Sequence, residues 1–122
     1  MLPALCLHVI IEPMDVIVTH ENADFDAVAS QWAAARLFAP AIPYLSRRVN
    51  RNVQEFLSRY GKEMPFVRFD VQPTRAVERI IVVDSQSPPS VKGADEQTTI
   101  LFIDHHPFEK ALPPNASQES GE

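Results

Sequence analysis

Cysteine is almost missing from this chain. A single Cys6 in 122 residues excludes an internal disulfide framework and fits a reducing cytoplasm. Cys6 itself reads as a small apolar residue. Positive charge is in deficit, with 11 Lys and Arg against 16 Asp and Glu and a net charge of −5. No global basic field attracts nucleic acid, so any such contact needs a local basic patch or a metal. A long apolar run is also lacking. Residues 1–13 (MLPALCLHVIIEP) are apolar, but they fall far short of the roughly 20 residues of a membrane span. They carry no Lys or Arg ahead of the apolar part and no clear small-x-small cleavage site, so a secretory leader is not expected. Residues 1–13 are read as an N-terminal extension, and a second reading makes Met14 the natural start.

What is present is ordinary for one small soluble domain with a single core. Residues 15–19 (DVIVT) are β-branched and predict a buried strand. The polar HENAD at 20–24 predicts the loop after it. Residues 25–39 (FDAVASQWAAARLFA) predict a helix, with Val28, Trp32, Ala35 and Ala39 on its apolar face and Pro40 and Pro43 ending it. Residues 42–46 (IPYLS) predict a second strand. Residues 50–60 (NRNVQEFLSRY) predict a second helix, with Val53, Phe56, Leu57 and Tyr60 facing inward and Gly61 as a stop. A short strand is expected at 65–69 (PFVRF), then two more at 79–83 (RIIVV) and 99–103 (TILFI). The Pro- and Ser-rich stretch between the last two (SQSPPSVKGADEQ) reads as a loop. Residues 108–122 read as a disordered tail or a cut end. Strands alternating with helices, themselves continuously apolar, predict an α/β fold with a mostly parallel sheet and flanking helices.

Three polar clusters follow three of the apolar strands. His20, Glu21, Asn22, Asp24 and Asp26 form a His-x-x-x-Asp-x-Asp pattern after the first. Asp84 closes RIIVVD, and Asp104-His105-His106 closes TILFIDHH. In an open parallel sheet such groups gather beyond the carboxyl ends of the strands, so all three are expected at one edge. Imidazole with several carboxylates and no thiolate suits Mn²⁺, Mg²⁺ or Zn²⁺. A carboxylate shared by two ions holds them roughly 3.5–4 Å apart, the spacing of two-metal phosphoester hydrolysis. Taken singly, each group has a plainer explanation. Asp24 or Asp26 can cap the following helix, Asp84 can cap a turn, and a histidine after a strand is usually structural. The coincidence of three clusters at three strand ends favours a site.

These residues resemble the DHH phosphoesterase family. HENADFDAVAS is similar to its first motif, the Asp of IVVDSQSP to its second, and IDHHP to the third, which names it. The resemblance runs from about residue 15 to 107 and implies a DHH-type N-terminal domain over 14–107. Within the family, the wording resembles a bacterial and archaeal subgroup in which this domain is fused to CBS domains and a poly(A)-polymerase or tRNA-nucleotidyltransferase-like domain. The resemblance implies two Mn²⁺ (or Mg²⁺) ions in the complete protein. His20 and Asp24 would ligate the first, Asp26 and His105 the second, and Asp84 both. Asp84, His105 and His106 would be the catalytic set. His106, Asn22, Arg47 and Arg48 would face the substrate phosphate, and Asp104 would orient the histidine pair. Asn22 has a competing role in a loop hydrogen bond, and Arg47, Arg48 and Arg51 have one as a solvated surface. Trp32 reads as core rather than as a stacking platform.

The pattern departs from the family in two places. A further family aspartate lies beyond the histidine pair, and no Asp follows Asp104 here; only Glu109, Glu119 and Glu122 do. A smaller second, substrate-binding domain does not occur within these residues. The expectation is a partial domain with little or no turnover alone, acting on a phosphate-containing small molecule, short oligonucleotide or polyphosphate when complete. Its missing partners would be the second, CBS and nucleotidyltransferase domains. The alternatives are a non-hydrolytic or regulatory module of a multidomain RNA nucleotidyltransferase and a bare α/β fragment.

Overall fold

The structure, a computed structural model, describes residues 13–71, 73, 75–87, 90–104 and 115–119. His105 and His106 lie outside them. Five strands form one sheet: β1 (Met14–Val18), β2 (Ile42–Pro43), β3 (Val77–Val83), β4 (Thr99–Ile103) and β5 (Ala116–Glu119), in the order β2-β1-β3-β4-β5. All neighbours pair parallel, with Val16 opposite Ile80 and Ile81 opposite Leu101. Among the described residues two helices accompany them, α1 (Phe25–Leu37) and α2 (Arg51–Tyr60), the second continuing into a 3-10 turn at Gly61–Glu63. The expected α/β architecture with a parallel sheet is what forms. Among the described residues, no helix is long and apolar enough to cross a membrane.

The strands are apolar on both faces because both faces are covered. Val16, Val18, Ile80, Val82 and Phe102 form the core of one face, with Tyr44, Val91 and Ala94 packed against it. Ile17, Ile81 and Val83 form the other, under Ala34 of α1. Ala23, Ala27, Val28 and Val53 make a third cluster that joins α1 to α2. A polar side chain locks α1 onto the sheet. Gln31, fully buried, donates from Nε2 to the carbonyls of Ile17 (3.1 Å) and Tyr44 (2.6 Å). Gly93 takes φ +89 in the loop before β4, where a Cβ would approach the Arg75 carbonyl and Val77 to 3.2 Å. Its own carbonyl accepts from the Val77 amide.

Several elements differ from expectation. The inward face of α1 is turned: Ala27, Val28, Gln31 and Ala34 are buried, Ala39 is exposed, and Trp32 is 41% exposed rather than core. Tyr60 of α2 is likewise exposed, and Val53 alone of that helix is fully covered. Gly61 adopts φ −65 and carries the chain into the 3-10 turn instead of a left-handed stop. The strand expected at 65–69 reduces to one parallel bridge, Tyr44 with Val67, because the turn closed by the Val71 amide on the Arg68 carbonyl ends the pairing. The second strand is likewise only two residues, extended by that bridge. Within the segment read as a tail, Ala116–Glu119 form β5 against β4.

Candidate metal centre

Strand order sets the place of the site. From the carboxyl end of β1 the chain turns toward β2, and from that of β3 it turns the opposite way toward β4. The two connections diverge, which opens a crevice above the adjacent ends of β1 and β3. Thr19, just past β1 and 1% exposed, donates its hydroxyl to the Val83 carbonyl at 2.7 Å. That bond ties the two strand ends together immediately below the crevice.

The loop after β1 is held from the β2 side. Ala23 bridges Val49, and the Asn50 amide donates to the Ala23 carbonyl at 2.9 Å. The Glu21 carboxylate accepts the Arg47 and Arg48 amides, both at 3.2 Å. Asn22 turns the loop at φ +56, a region that Asn enters more readily than most residues. These bonds aim His20 and Asp24 back over the sheet.

His20, Asp24 and Asp84 meet there, with one donor atom from each lying within 4.8 Å of the others. His20 Nε2 is 4.0 Å from Asp24 Oδ1 and 3.7 Å from Asp84 Oδ2. His20 Nδ1 sits 2.7 Å from the Glu21 carbonyl oxygen. A carbonyl only accepts, so Nδ1 carries the proton. In the neutral ring, Nε2 then presents a lone pair toward two carboxylate oxygens. A divalent cation resolves that convergence of acceptors, and a backbone carbonyl holding the far ring nitrogen is the usual support for a ligating imidazole. The nitrogen-and-oxygen donor set fits Mn²⁺, Mg²⁺ or Zn²⁺.

The carboxylates are held differently. Asp24 is the N-cap of α1 and accepts the Ala27 amide at 3.0 Å through the same Oδ1 that faces His20. Asp84 has φ +51, and its amide donates to the Ile103 carbonyl at 3.1 Å. A left-handed backbone on a non-glycine residue costs on the order of 1 kcal/mol or more and is characteristic of functional positions. The Asp84 side chain is 14% exposed, against 54% for Asp24.

The other expected site residues are spread around this group. Asp26 stands exposed in the first turn of α1 and is not part of the cluster. Asp104 is 3% exposed at the end of β4 and lines a cavity of about 300 Å³ with Asp84, Ile103 and the C-terminal half of α1. Arg47 and Arg48 are exposed on the loop that Glu21 pins. His105 and His106 are outside the described residues.

A sequence model described as the DHH family, N-terminal domain, matches residues 16–119. The chain belongs to the DHH family. This is a phosphoesterase family that depends on metal, and its match extends past residue 107 to take in β5. An A-adding tRNA nucleotidyltransferase from Geobacter sulfurreducens is 31% identical over 100 residues. That match covers 77% of this chain and 11% of the relative, so the chain spans about a tenth of the relative's length. No solved structure matches. In the sequence Thr19 has no assigned role and Glu21 none beyond membership of the first polar cluster, although both brace the loop that carries DHH-motif residues. Their signal is faint, since Thr is common at strand ends and Glu21 looks like one more loop acid.

Proposed function

We propose that this chain is the metal-holding N-terminal part of a DHH phosphoesterase acting on a phosphoester or phosphoanhydride of a nucleotide, short oligonucleotide or polyphosphate. The observation that carries the reading is the convergence of His20, Asp24 and Asp84 at the β1/β3 crevice. These three hold the first Mn²⁺ or Mg²⁺. Asp84, Asp26 and His105 would hold a second ion. Bound divalent ions supply Lewis acidity toward the phosphoryl group and an acidic water. His106, Asn22, Arg47 and Arg48 orient the substrate phosphate, and Asp104 holds the histidine pair in place. Catalysis depends on substrate orientation as much as on the ions, so these 122 residues alone turn over weakly or not at all. The complete protein carries further domains C-terminal to this one and acts in the cytoplasm.

The test is calorimetric titration of MnCl₂ into the chain and into Asp84→Asn, which keeps the side-chain shape and tolerates the left-handed backbone. Saturable binding lost in the variant is expected. Equal binding by both, or none by either, defeats the reading. The likeness to an A-adding tRNA nucleotidyltransferase favours a second one, in which the domain is a non-hydrolytic or regulatory module of an RNA nucleotidyltransferase. Saturable manganese binding with no hydrolysis by the complete protein would select it.

A further inference from the structure

A second cavity, of about 590 Å³, opens on the face of the sheet that bears Val16 and Val18. Tyr44 and the half-exposed Phe69 also line it, and Arg47 and Lys92 stand in its lining. The volume lies within the range of small-molecule sites, which are largely apolar with a few converging polar groups.

The charges in its lining are unequal in availability. Glu21 is engaged with the Arg47 and Arg48 amides, and Asp70 pairs with Arg68 at 3.1 Å. Arg47 and Lys92 form no ion pair among the described residues. The cavity therefore offers an apolar floor, two aromatic rings and two uncommitted cations. A sugar phosphate would leave the floor and the rings unused. An acyl chain would leave the cations unused. A planar heterocycle that carries a phosphate satisfies all three, since bases stack on aromatic side chains and phosphate draws Arg and Lys.

We propose that this cavity binds the base and phosphate of a nucleotide. The proposal deepens the phosphoesterase reading and rests on it for its biological sense. Thr19 and Glu21 line the cavity, and His20 between them belongs to the metal group. The cavity and the candidate centre thus share one loop, and a nucleotide seated in the cavity favours nucleotides and short oligonucleotides over polyphosphate as the substrate class.

The test is calorimetry of AMP against the 122-residue chain in EDTA, with adenosine and inorganic phosphate as separate probes. Phe69→Ser, Arg47→Gln and Glu55→Gln are titrated alongside, and their folding is checked by circular dichroism. Saturable AMP binding is expected, with each partial probe at least about tenfold weaker. Phe69→Ser and Arg47→Gln should each weaken AMP by about tenfold, the loss of one stacking or charged contact. Glu55→Gln, on the exposed side of α2 and outside the cavity, should bind AMP as the wild type does. Absence of AMP binding, AMP binding indifferent to both cavity substitutions, or phosphate binding as tightly as AMP would each overturn the proposal. Because metal is excluded, failure of the manganese titration leaves this result standing, and the reverse also holds.

Discussion

Replacing Thr19 with Val removes one hydroxyl and almost no volume. The bond it makes to the Val83 carbonyl is 2.7 Å long and buried. A buried hydrogen bond contributes about 1 kcal/mol, and an acceptor stripped of its partner adds the cost of its lost hydration, so about 2 kcal/mol is expected. With a urea slope of about 2 kcal/mol per molar, the unfolding midpoint falls by about 1 M. The second readout is specific to the site. Thr19 joins the strand ends that carry His20 and Asp84, so Thr19→Val should also weaken Mn²⁺ several-fold in calorimetry. Thr19→Ser keeps the hydroxyl and loses one methyl, worth about 0.8 kcal/mol. It should lose some stability and keep manganese affinity. If Thr19→Val shifts the midpoint by less than a quarter of the stated amount, the bond does not hold the strands. If Thr19→Ser weakens manganese as much as Thr19→Val, the hydroxyl does not position the site.

Other outcomes follow from the same structure. Manganese at a hundred times its dissociation constant should stabilise the chain by about 2.7 kcal/mol, read as a rise in urea midpoint that Asp84→Asn does not show. Gln31→Leu removes the two donations from α1 to the Ile17 and Tyr44 carbonyls. It should cost about 1–2 kcal/mol in urea; an unchanged midpoint would mean that α1 is held by apolar packing alone. Burial pushes the Tyr44 phenol above its ordinary 10.0, against the opposing pull of Arg75. The fold thus favours the protonated phenol, a stability present below pH 10 and lost as pH rises beyond it. Urea midpoints between pH 8 and 11 should fall more steeply for the wild type than for Tyr44→Phe, and parallel curves would show that Tyr44 plays no part.

Much of this was legible in the sequence where apolar pattern and backbone preference agree. DVIVT, RIIVV and TILFI are mostly β-branched and became the three central strands. His20 and Asp84 could be placed because each directly follows such a run, and Asp24 because it ends the short loop between the first run and the helix. The face of α1 misled because its key buried residue is polar. Gln31 is inside because its amide donates to the Ile17 and Tyr44 carbonyls, which no hydropathy pattern reveals, and Trp32 next to it is displaced outward. The last strand, Ala-Ser-Gln-Glu, contains no β-branched or aromatic residue at all. It forms as a parallel neighbour on the edge of β4, through main-chain bonding that side-chain pattern does not encode. PFVRF had the composition of a strand, but Pro65 cannot donate and a turn follows at 68–71, so a single bridge remains.

The divergence of the chain above β1 and β3 separates two tasks that often compete in one protein. The hollow exists because two connections leave in opposite directions, whatever side chains line it. Its walls are strand ends anchored in a core several residues below, and its lining belongs to loops. Substitution in that lining can alter its chemistry while the folding information, stored in the strands, stays untouched. A scaffold of this kind can pass through inactive or non-hydrolytic versions without losing its shape, and so can be carried as a module in larger proteins and adapted there to different chemistry.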